Sequence, residues 1–172
     1  MTPSPRDRDI LRELARQVAE AAAEPEQAEK IRLWTACNDL APKRAMVLAD
    51  PQNGWAELDA AWLRLECENA ECRGFEHALR RKLVRFAHIP DDFPTMAELE
   101  VGVRYSGAGY GDYGLDLEVE RSGQADGAYH IEPAIRTEAD LDRLHQRPIR
   151  LDSAGTDAAA ERARDQIGRA HV

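Results

Sequence analysis

The stretch Ala45-Met46-Val47-Leu48-Ala49 constrains the fold most, because five apolar residues run without a polar break and stop at Asp50-Pro51. A strand with one wet face alternates apolar with polar residues, whereas an unbroken run suits a strand covered on both faces of a parallel sheet. On either side of the run the hydrophobic period is helical. Ser4 can cap, Pro5 takes the first helical position and Asp7 falls in the first turn, and Ile10, Leu11, Leu14, Ala15 and Val18 then recur at helical spacing to about Ala23. Pro25 opens a second helix that ends before Pro42, with Ala28, Ile31, Trp34 and Ala36 as inner residues, so a helical hairpin is expected. After the run, Asn69 caps a long helix to about His88. Phe75, Leu79, Leu83 and Phe86 form its stripe, and Arg73, Arg80, Arg81, Lys82 and Arg85 form a solvated face.

Beyond Pro90 and Pro94 the period changes to two. Leu99, Val101, Val103 and Tyr105 alternate with polar residues, as do Leu115, Leu117 and Val119, which predicts an antiparallel pair or extended arm. Thr137 and Asp140 have capping-box spacing at the start of a short helix through Leu144, and Ser153 or Thr156 starts a final helix. The terminal Ile167-Gly168-Arg169-Ala170-His171-Val172 reads as a translated sequencing adapter. It predicts that authentic sequence ends at Asp165 or Gln166, with 1–166 the N-terminal portion of a longer domain and 167–172 an appended tail.

Charge narrows the partners. Of 172 residues 32% are charged, and the net charge of −9 disfavours both a nucleic-acid module and adsorption to an anionic membrane. Cys37, Cys67 and Cys72 are too few and odd in number for a disulfide framework, so a cytoplasmic location is expected.

Several clusters can carry chemistry. The segment Ser106 to Gly114 is glycine-rich, but strand pattern follows it, so a loop between strands fits better than a dinucleotide site. Such a loop can act as a lid, with Tyr105, Tyr110 and Tyr113 closing on a substrate. Cys67, Cys72, His77 and His88 are the soft ligands, yet Cys72 and His77 lie about 140° apart around a helix, and no metal site is expected within this chain. Glu98 and Glu100 share one strand face, opposite Leu99 and Val101; lining a cavity they would serve as acid–base groups, and facing water they would only solubilise.

The segment Glu132-Pro133-Ala134-Ile135-Arg136-Thr137-Glu138-Ala139-Asp140-Leu141-Asp142-Arg143-Leu144 resembles a Pro-(x)-Ile-(Arg/Lys)-Thr-Glu-Glu-Asp-Leu-x-x-Leu stretch of the uroporphyrinogen decarboxylase superfamily. The order of the expected elements is also similar. The resemblance implies an α/β fold: the N-terminal part of a (β/α)8 TIM-type barrel, with a leading helical hairpin and a β-arm, truncated before closure. It implies a site at the C-terminal ends of the strands, with Asp50, Glu98 and Glu100 as catalytic candidates and Trp55 as a substrate-binding one, beside Tyr105, Tyr110 and Tyr113 from the reading of the loop. The family's decarboxylase carries Arg-Gln-Ala-Gly-Arg where this chain has Ala49 to Trp55. Asp50 in place of arginine would repel a polycarboxylate, so the longer protein is expected in methyl transfer ahead of porphyrinogen decarboxylation. Its zinc would come from residues beyond the truncation and its partner would be a corrinoid protein, while the fragment itself would be inactive. Two alternatives stand beside this: a self-contained, non-enzymatic α+β binding module, and a small metal-binding protein using the Cys/His cluster.

Overall fold

The computed structural model describes residues 3–106, 114–115, 117–124, 127–146 and 149–168. It divides into two units, Met1–Val101 with Asp157–Val172, and Gly102–Thr156. The first unit is helical. Helix α1 (Pro5–Ala22) starts in a capping box, in which Ser4 Oγ accepts from Asp7 N at 3.1 Å and Asp7 Oδ2 accepts from Ser4 N at 3.0 Å. Helix α2 (Pro25–Asn38) follows, then a 3-10 turn, α3 (Trp55–Trp62) and α4 (Ala70–His88). Asn69 Oδ1 caps α4, accepting from Glu71 N at 2.9 Å and Cys72 N at 3.1 Å. The last helix, α5 (Ser153–Ile167), belongs to this unit from Asp157 onward.

Helix α1 packs chiefly on α4 rather than forming a tight hairpin with α2. Their shared core is Leu11, Leu14, Ala15, Val18, Cys67, Cys72, Leu79, Leu99 and Ile167. Two of the residues expected to face inward from α2, Ala28 and Ile31, are exposed, and the side chain that α2 buries is Gln27, whose Oε1 accepts from Thr95 N at 2.7 Å.

Two buried carboxylates fasten the α3–α4 connection. Glu76, fully buried on α4, accepts from the backbone N–H of Glu66 at 2.9 Å and of Cys67 at 2.8 Å, and from Arg80 Nε at 2.8 Å. Asp7 adds an acceptor for Glu68 N at 2.8 Å. Residues 66–68 thus have no strand beside them and donate their N–H groups to side-chain carboxylates instead. Burial pushes the Glu76 carboxyl upward, but the N–H groups of Cys67 and Glu66 together with Arg80 outweigh it and hold it below its ordinary value. Asp7 is held low by the N–H groups of Ser4 and Glu68. Cys67 beneath them is pushed up to about 12, first by burial and then by the Glu76 charge. For carboxylates depressed on folding, the stabilisation is complete above the unfolded-chain value of about 4 and lost as pH falls through the lower folded values. The melting temperature is therefore expected to drop steeply below about pH 4, measured by circular dichroism melts across a pH series.

The barrel expectation is overturned. The run 45–49 is not a strand of a sheet: Val47 is 60% and Leu48 53% exposed, and no strand pairs with it. Its alternate N–H groups go to side chains, Val47 N to Asp92 Oδ2 at 2.8 Å and Ala49 N to Asp91 Oδ2 at 2.9 Å. An apolar run reports burial only if something covers it, and here Met46 alone is half-buried while the other four residues are exposed.

The second unit holds two short antiparallel pairs, and no parallel pairing exists among the described residues. Strand β1 (Tyr105–Ser106) pairs with β4 (Arg150–Leu151), and β2 (Val119–Arg121) with β3 (Tyr129–Ile131), Glu120 facing His130. The two alternating stretches read from the sequence therefore do not pair with each other. The short helix appears as a 3-10 segment (Glu138–Arg143) with the Thr137/Asp140 capping box in place. No helix among the described residues is long and apolar enough to cross a membrane.

Candidate ligand-binding site

The cavity that gathers most of the predicted residues lies in the first unit, with a volume of about 680 Å³. One wall is α4. His77, Arg81 and Arg85 recur every four residues and so project from one face, with Ala78 and Lys82 beside them. Trp55, from the start of α3, and the extended segment from Phe93 to Glu100 supply the rest.

Each of the two arginines is held by a carboxylate and stacked on an aromatic ring. Asp59 of α3 accepts from Arg81 Nη2 at 2.7 Å and lies 2.8 Å from His77 Nε2, which ties α3 to α4. Burial alone would raise the Asp59 carboxyl, but Arg81 and His77 bring it below its ordinary value. The Arg81 guanidinium lies 4.4 Å over the Trp55 ring, and that of Arg85 lies 4.3 Å over Phe93. Arg85 also donates to Asp91 and, at 2.9 Å, to the carbonyl of Ala49. Lys82 Nζ donates to the carbonyls of Glu98 at 2.7 Å and Met96 at 3.1 Å. Burial lowers the Lys82 pKa against the opposing charges of Glu100 and Glu98. The basic residues 81, 82 and 85, expected as a solvated face, are therefore partly buried and engaged.

Glu98 and Glu100 line this cavity from its exposed strand-like edge, while Leu99 between them is buried, as the alternation requires. Trp55 lines it too. Asp50 stands behind Trp55: its Oδ1 accepts from Trp55 Nε1 at 3.0 Å and Gln52 N at 3.2 Å, and these two donors hold its carboxyl low, the Gln52 N–H foremost. Tyr105 belongs to the second unit, where it lines a shallow opening with Arg104 and Asp152. Tyr110 and Tyr113 lie outside the described residues.

The Cys/His cluster has other partners. His77 is bound to Asp59, His88 stacks on Trp62 at 4.7 Å between ring centroids, and Cys67 and Cys72 are buried free thiols. Among the described residues no group of three or more His, Cys, Asp or Glu side chains is arranged to hold a metal ion.

Sequence reasoning missed Arg81, Arg85 and Phe93 as wall residues. The four-residue spacing from His77 to Arg85 was the available signal, but the aromatic rings that stack on the arginines are remote in sequence. The chain matches no protein-family model, no curated protein and no solved structure.

Proposed function

We propose that this protein is a binding module for a small amphipathic carboxylate. Its apolar ring would lie against Trp55, Phe93 and Met96, and its carboxylate would meet Arg81 and Arg85. The observation that carries this reading is the pair of arginines laid over aromatic rings at the wall of a cavity of about 680 Å³. That volume suits a small molecule, and a mostly apolar lining with a few convergent polar groups suits an amphipathic one. Each guanidinium offers five donors; the Nη1 groups of both have no hydrogen-bond partner among the described residues. Stacking presents a guanidinium in a fixed plane, the arrangement that favours bidentate capture of a carboxylate.

Asp50 would act here by orienting Trp55. A carboxylate held below its ordinary value is a weak base at neutral pH, which argues against a general-base role. Glu98 and Glu100 would guard the rim and disfavour ligands with several negative charges.

Titration calorimetry with 2-naphthoate tests the proposal. One saturable site is expected, weakened at least tenfold in Trp55→Ala and in Arg81→Lys, the latter because lysine keeps the charge but loses the planar stack. Absence of saturable binding, or binding untouched by both substitutions in folded variants, refutes it.

A further inference from the structure

We infer that Lys82 is a nucleophilic amine that captures aromatic 2-oxo acids as an imine in the cavity of the first unit, which rests on the carboxylate-binding reading of that cavity. Arginine carries most of the positive charge of this chain: of 23 cationic residues only Lys30, Lys43 and Lys82 are lysines. Lys82 is the one that lines the cavity, between Arg81 and Arg85 on α4. An arginine does not give up its proton in a protein, whereas a lysine does so readily when buried.

The partners of Lys82 fit the neutral amine. Lys30 faces Glu26 at 3.0 Å, an ion pair that holds an ammonium. Lys82 Nζ instead donates to two main-chain carbonyls, Glu98 at 2.7 Å and Met96 at 3.1 Å, and forms no ion pair among the described residues. A neutral amine has two N–H groups, and two carbonyls use both while leaving the lone pair over. Partial burial favours the same form, against the charges of Glu100 and Glu98.

Spacing selects the substrate. Residues three apart on a helix hold their Cβ atoms about 5–6 Å apart, so Lys82 and Arg85 leave α4 as neighbours. Both side chains cross to the extended segment after the helix, Arg85 to Asp91 and Lys82 to the carbonyls of residues 96 and 98. A 2-oxo acid carries its ketone on the carbon next to the carboxylate. With the carboxylate on Arg85 and the ring against Trp55 and Phe93, the ketone is presented to Lys82. The nitrogen lone pair forms a bond to the ketone carbon while the carbonyl π pair moves to oxygen. Glu98 and Glu100, which also line the cavity, carry the two amine protons in turn to that oxygen. It leaves as water as the C=N bond closes, and no oxidant or reductant is consumed.

Phenylglyoxylate cannot enolise, so trapping with cyanoborohydride reports the imine alone. Incubated with the full chain, it is expected to leave a secondary amine at Lys82 roughly tenfold faster than at Lys30 or Lys43, located by peptide mass mapping. Saturating 2-naphthoate is expected to slow labelling of Lys82 roughly tenfold and to leave the other two lysines unchanged. Equal labelling of the three lysines, or labelling of Lys82 untouched by 2-naphthoate, overturns the inference. If 2-naphthoate binds and Lys82 stays unlabelled, the imine alone falls and the binding reading stands. If 2-naphthoate does not bind at all, the two fall together.

Discussion

Glu76→Ala is expected to lower the unfolding free energy by about 3–5 kcal/mol, the range for removing one partner of a buried ion pair. The magnitude follows from what the carboxylate leaves behind. The N–H groups of Glu66 and Cys67 lose their acceptor in a water-poor site, and Arg80 Nε loses its near partner. Arg80 retains Glu66 at 2.8 Å, which limits the damage on that side. Glu76→Gln keeps one carbonyl oxygen and the side-chain volume, and should fall between Ala and wild type. Urea unfolding measures both, the midpoint moving while the slope is kept. If Glu76→Ala unfolds within about 1 kcal/mol of wild type, the net worth of a typical hydrogen bond, the carboxylate does not hold the connection together.

Leu79→Ala is expected to cost about 2–5 kcal/mol. Leu79 is 1% exposed and sits in the seam between α1 and α4, with Leu11 and Val18 in the same cluster. Two helices packed over so few large side chains have little with which to refill a cavity, since aromatics are 6% of the chain. Phe86→Ala, on the same predicted stripe but 42% exposed, should cost far less. Chemical denaturation of the two variants side by side separates a buried seam from a stripe read off spacing alone.

Helices α1, α2, α4 and α5 were legible because their signals are local, whereas α3, which has no side-chain cap, was not. Ser4 and Asp7, and Asn69 with its two N–H partners, act within three residues, so α1 and α4 begin where the sequence places them. The run 45–49 was not legible, because its hydrogen-bond partners are Asp91 and Asp92, more than forty residues away and reached by side chain rather than by strand. Apolar content cannot distinguish a covered strand from an extended segment clamped along one edge. The barrel-like motif has a local explanation as well: Thr137 Oγ1 and the N–H groups of Arg136 and Thr137 all donate to Asp140 Oδ2, between 2.8 and 3.0 Å. Thr-x-x-Asp is thus accounted for by how a short turn begins. Of the candidate site, Trp55, Glu98 and Glu100 were legible by residue type and alternation. The arginines were visible as a charge run, but their aromatic covers required the fold.

The raised thiol of Cys67 carries an experimental consequence. With its pKa near 12, almost none of it is the reactive anion at neutral pH, and Cys72 is displaced upward in the same sense. An alkylating reagent can attack these sulfurs only when α1 and α4 part company. Counting mass increments against time in native buffer would then clock how often that seam opens, with no label introduced into the chain.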